Sequence, residues 1–129
     1  MSKYFALSLL AFGVALLPLP AAADAASEIV TAAQHAEYAA QSATIDMVHA
    51  HLHHTLNCLV GPNGMDFDKT ALNPCKNSGN GAIPDTTDAA KQKALEAAAD
   101  KAREGLKSDD LATAQKAASD TEAMLKAIK

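Results

Sequence analysis

Tryptophan is absent from this chain, and 129 residues hold only two tyrosines and three phenylalanines. So few large rings exclude a core built on aromatic packing. With alanine abundant, the core must come from helices approaching closely through small side chains. Such a core buries little apolar area per residue, at ~25 cal/mol per Å², and benefits from a covalent staple. Clustered positive charge is missing as well. Eleven Lys and Arg stand against fifteen Asp and Glu, for a net charge of −4, and no basic run occurs, which argues against nucleic acid and anionic lipid as partners.

Signatures of catalysis are lacking too. There is no Gly-x-Ser-x-Gly and no Gly-rich phosphate loop opening a helix. His-Glu-x-x-His is absent, and His35-Ala36-Glu37-Tyr38 lacks a second histidine. The chain reads as a binding protein rather than an enzyme. Cys-x-x-Cys-His is missing, which excludes covalent haem attachment.

What is present begins with an export signal. Lys3 supplies a positive start, Tyr4 to Leu17 is apolar, Pro18 and Pro20 break the run, and Ala21-Ala22-Ala23 offers small residues to signal peptidase. A membrane anchor would need about 20 uninterrupted apolar residues. The expected division is residues 1–23 as signal peptide, with cleavage after Ala26 as the fallback, and residues 24–129 as a single domain. Removing Lys3 takes the charge from −4 to −5. The expected location is the periplasm or the exterior, with no membrane contact after cleavage. Two cysteines in an exported chain predict a disulfide, Cys58 to Cys75, closing an 18-residue loop worth ~3 kcal/mol. Cys58 as a soft metal ligand is the competing reading.

From Asp24 to Val60 there is no proline and no glycine. Asp24 or Ser27 can cap a helix there, and Gly61-Pro62 stops it. This predicts one helix of about 34 residues, ~50 Å long, with a kink near Ser42 to Thr44. Its second half carries a core stripe of Ile45, Val48, Leu52, Leu56 and Leu59. A loop of about 24 residues follows, in which Met65, Phe67, Leu72 and Ile83 are candidates to tuck inward and Asp66 and Asp68 read as ordinary turn acids. Asp85-Thr86-Thr87-Asp88 starts a second helix running to about Lys107. Ser108-Asp109-Asp110 caps a third. The fold class expected is all-α: a three-helix antiparallel bundle of one long helix, a disulfide-tied loop and a helical hairpin. The overhanging first helix would be free to fold back or to pair with a second molecule.

The chemistry concentrates in Asp46 to Cys58, where four of the five histidines fall within six residues. His49 and His53 at i, i+4, with Asp46 three residues before His49, form an Asp-x-x-His-x-x-x-His trident suited to Cu²⁺, Zn²⁺ or Ni²⁺. A second face carries Met47, His51 and His54, whose thioether favours copper, Cu⁺ above all. On one straight helix His35 lies ~21 Å from His49 and joins neither set except through an antiparallel partner chain. The bland alternative is a solvated histidine face, with His53 and His54 facing the negative helix end. A b-type haem, with His49 or His53 and Met124 as axial ligands, is a third option. It is disfavoured because Phe67 is the one phenylalanine outside the signal.

In plan, the mature chain resembles the small periplasmic, histidine-bearing helical-bundle proteins that bind transition metals. The export signal, the alanine-rich helical character and His49-x-His51-x-His53-His54 carry the resemblance. It implies a metal carrier, buffer or sensor accessory. Those proteins can spread histidines along every helix, whereas the second and third expected helices here have none, which implies one or two sites instead of bulk storage. The rival class is a metal-independent module that docks onto an envelope protein or dimerises through the long first helix.

Overall fold

The computed structural model describes residues 23–128. The apolar run and proline break of the expected signal peptide lie outside the described residues. Five helices appear in chain order: α1 Ala25–Gln41, α2 Ile45–Val60, the single-turn α3 Ala82–Asp85, α4 Ala89–Leu106 and α5 Leu111–Lys126. No strand occurs among the described residues, so the all-α class holds.

The expected single long helix is instead two helices. Ser42 ends α1 in an extended conformation (φ −71°, ψ 138°), and its hydroxyl donates to the carbonyl of Tyr38 at 2.7 Å. Thr44 is extended as well and caps α2, its Oγ1 accepting from the backbone N–H of Met47 at 3.3 Å, with Asp46 in the first turn. Hydroxyl side chains thus offer the backbone hydrogen bonds that compete with helix continuation, and the chain turns back within three residues. The gain is burial. Ala32, Ala36 and Ala39 of α1 become fully buried, as do Val48, Leu52, Leu56 and Leu59 of α2, whereas a straight overhang would leave the alanine stripe in water.

The three-helix arrangement is therefore replaced by four long helices, each antiparallel to its neighbours. Along α1 and α2, Ala32 meets Thr55 while His35 meets His51. Along α2 and α4–α5, His49 reaches Ser108 and Leu52 lies against Gly105. Along α1 and α5, Glu37 pairs with Lys126 and Ser42 with Gln115. Leu95, Ala98, Ala99 and Ala102 from α4 and Ala114, Ala118 and Leu125 from α5 complete the core. Asp88 and Asp110 cap α4 and α5, accepting from Lys91 and Thr113 at 2.8 Å each.

The long loop from Gly61 to α3 is tied to the end of α2. Cys58 and Cys75 form the expected disulfide. Asn57, 1% exposed, accepts from the N–H of Asp68 and donates to the carbonyls of Asp68 and Leu72 at 2.9–3.1 Å. Gly61 closes α2 with φ +69°, and a Cβ there would collide with the Asn80 carbonyl, so glycine is required on both counts. The loop's own side chains divide. Phe67 and Ile83 are partly buried, but Met65 and Leu72 stand 83% and 59% exposed. Asp66 pairs with Arg103, and Asp68 caps Thr70 and Ala71. Both serve as turn acids. A third anchor is Glu28 on α1. It is fully buried, and its Oε1 accepts from the N–H of Gly81 at 2.9 Å.

Candidate metal site between the first two helices

The fold-back at Ser42–Thr44 decides which histidines meet. Small residues on α1 let α2 lie close, and the register set by the short turn carries His35 opposite His51 and His54. Thr55, fully buried one turn beyond His51, shares its hydroxyl between the carbonyls of His51 (3.0 Å) and Ala32 (3.3 Å) and pins the two helices at this level. His51 and His54 are at i, i+3 on α2 and so project from neighbouring positions on one face.

The three rings form a compact group. His35 Nδ1 lies 3.3 Å from His51 Nδ1. The ring centroid of His54 is 5.0 Å from that of His35 and 5.4 Å from that of His51, with the His54 ring nearly perpendicular to both. Tyr38, one turn before Ser42, stands edge-on to the His35 and His51 rings with centroids 5.6 and 5.5 Å away. Its hydroxyl accepts from Gln34 at 2.8 Å.

One nitrogen from each of His35, His51 and His54 lies within 4.8 Å of the other two, and among the described residues no other group of three or more His, Cys, Asp or Glu does this. An ion held tetrahedrally at 2.0–2.1 Å by histidine nitrogens needs ligand pairs about 3.3–3.4 Å apart. The His35–His51 separation already has that value, and His54 offers a nitrogen within 4.8 Å of both. The Nδ1 of His54 is buried and has no hydrogen-bond partner, a polar atom left without the partner that burial demands.

Electrostatics favour the free-base form that ligation needs. Burial, reinforced by His54 and His51, pushes the His35 imidazole down to about 4. His54 is lowered by the same causes, burial first and then His51 and His53. Protons therefore do not compete for the His35 and His54 nitrogens at neutral pH.

The trident expected from spacing is not brought together. His49 and His53 do project from one flank of α2, but each is turned to a neighbour that one helix in isolation does not reveal. His49 Nε2 lies 2.9 Å from the Ser108 carbonyl at the α4–α5 turn. His53 Nδ1 lies 3.3 Å from Asp68 Oδ2 in the loop. Asp46 stays exposed at the start of α2. Of the second expected face, His51 and His54 do meet, and Met47 sits half-exposed one turn before His51. The residue that spacing left out is His35. Its signal was available in Thr44 and Asp46, a cap and a first-turn acid in the middle of a supposedly continuous helix.

The chain matches no protein-family model, no curated protein and no solved structure. The functional reading therefore rests on the geometry of this chain alone.

Proposed function

We propose that this is an exported, disulfide-stapled helical protein that binds one transition-metal ion (copper, zinc or nickel) through His35, His51 and His54, as a carrier, buffer or sensor accessory. The observation that carries this reading is the half-buried trio itself, within which His54 Nδ1 is buried without a partner. Three imidazoles leave a further coordination position for a small ligand or for a donor on a receiving protein. That opening suits an ion that must be handed on. Export fits the disulfide, and no helix among the described residues is long and apolar enough to cross a membrane.

Equilibrium dialysis of the mature protein against Cu²⁺, Zn²⁺ and Ni²⁺ tests the proposal. The expected result is one ion per chain at micromolar or tighter affinity, accompanied by a change in fluorescence of Tyr38, which is the single tyrosine left once Tyr4 has been removed with the signal. Affinity in the millimolar range for all three ions would refute it.

The rival reading, a metal-independent interaction module, keeps one point of support. Val30 is 68% exposed beside an open cavity of ≈ 450 Å³ that Ile29, Leu125 and Ile128 also line. The unpaired length of the first helix no longer supports it, because α2 covers α1. Metal-free protein that light scattering shows to be dimeric, and monomeric after Val30→Glu, would favour this rival.

A further inference from the structure

The donor set of the trio says more than that a metal fits. The group contains three imidazoles, and no carboxylate or thiol joins it. The acids nearest in sequence are committed elsewhere or displaced. Glu37, two residues beyond His35 and so on a different side of α1, is engaged by Gln41 and Lys126. Asp46 is exposed at the start of α2.

An ion here would therefore keep its whole charge in a half-buried pocket of neutral ligands. The cost of removing an ion from water grows with the square of its charge. A dication thus bears about four times the penalty of a monocation, with no ionised ligand to offset it. Zinc sites of purely neutral ligands avoid this by binding hydroxide or by standing open to water, whereas this group is walled on one side by Tyr38 and backed by α1. A monocation content with three ligands does not meet the difficulty.

We propose that the His35/His51/His54 site is built for monovalent copper, Cu⁺, in preference to divalent zinc or copper. This rests on the metal-binding reading above and narrows it to one oxidation state. A site of this kind holds the reduced ion in an oxidising compartment, where the disulfide Cys58–Cys75 removes the chain's only thiols from competition.

The test is a pair of competition titrations on the exported, disulfide-intact protein under anaerobic conditions. Cu⁺, kept reduced with ascorbate, is competed against bathocuproine disulfonate. Zn²⁺ is competed against a chromophoric chelator at the same pH. The expected result is Cu⁺ held at least about 100-fold more tightly than Zn²⁺, with both affinities falling at least about tenfold in His35→Gln and in His51→Gln. Zn²⁺ affinity equal to or above that for Cu⁺ overturns this inference and leaves the metal site standing. Failure to bind either ion overturns both. Affinities unchanged in the two variants, with helical content preserved, place the ion elsewhere and refute the assignment.

Discussion

Replacing Glu28 by glutamine should make the protein more stable at neutral pH and leave it nearly unchanged in mild acid. Glu28 is fully enclosed between α1 and the Gly79–Gly81 segment. One oxygen accepts from Gly81, and the other is buried with no partner. Burial, with Asp85 and Asp24 close by, raises its carboxyl from 4.5 to about 7, against the opposing hydrogen bond from Gly81. The native state therefore prefers the protonated acid. Its contribution to stability is complete below 4.5, where folded and unfolded chains are both protonated, and is lost as the pH rises to about 7. At about 1.4 kcal/mol per pH unit the ceiling is about 3 kcal/mol. Water at half-buried Asp85 screens the interaction and brings the expected loss to about 2 kcal/mol.

The neighbouring histidine works in the opposite sense. His35, lowered from 6.5 to about 4, contributes stability that is present above 6.5 and lost on acidification. The wild-type profile between pH 4.5 and 7 is thus a sum of opposed slopes, with His54 acting in the same sense as His35, and only a difference isolates Glu28. Urea melts of wild type and Glu28→Gln with chelator present, at pH 4.5 and pH 7.5, supply that difference. Glutamine accepts from Gly81 and stays uncharged at every pH, so its advantage should grow by about 2 kcal/mol between the two conditions. An advantage that does not change with pH, or a variant less stable than wild type at pH 7.5, would refute the reasoning.

Other expectations follow from packing and from the loop. Removing the staple with Cys58→Ala and Cys75→Ala together should cost about 3 kcal/mol in the urea-derived stability while far-UV circular dichroism at low urea keeps its helical signal. Gly105→Ala should destabilise by about 1–2 kcal/mol, although alanine is the better helix former by about 1 kcal/mol. The new Cβ would stand 2.7 Å from Leu52 Cδ1 and 3.2 Å from Ala117 Cβ, and thermal melts report the balance. Asn57→Ala removes three hydrogen bonds between α2 and the loop. It should cost about 2–4 kcal/mol and speed hydrogen exchange at the Asp68 amide well above the rate at helix-core amides.

Much of the fold was legible in local signals. Asp24, Asp110 and Gly61 mark the helix ends they cap. The stripe Val48, Leu52, Leu56 and Leu59 is the buried face of α2, and the two cysteines of this alanine-rich chain are paired. The break near Ser42 to Thr44 was legible as a kink, but the full reversal of direction there was not, because absence of proline and glycine reads as continuity. Ser42 and Thr44 end and restart the helix with their hydroxyls, using residues that are common inside helices. The alanines of α1, which look too small to form a core face, are what allows α2 to approach. The candidate site failed at the same place. Spacing along one helix pairs His49 with His53 and His51 with His54, but it does not say which pair meets a third ligand. That depended on the reversal of direction, which brings His35 to His51 and draws His49 to Ser108 and His53 to Asp68. Glu28 likewise carries no sequence mark of its burial, because an acid in a first helical turn is ordinarily solvated.

The most direct test of the central claim is one long-range ¹H–¹⁵N spectrum of the histidine rings, recorded with and without one equivalent of diamagnetic Zn²⁺. All five rings report separately. The account predicts that ring nitrogens of His35, His51 and His54 shift on metal addition while those of His49 and His53 keep their positions. Shifts confined to His49 and His53, or no shift at any ring, would contradict it.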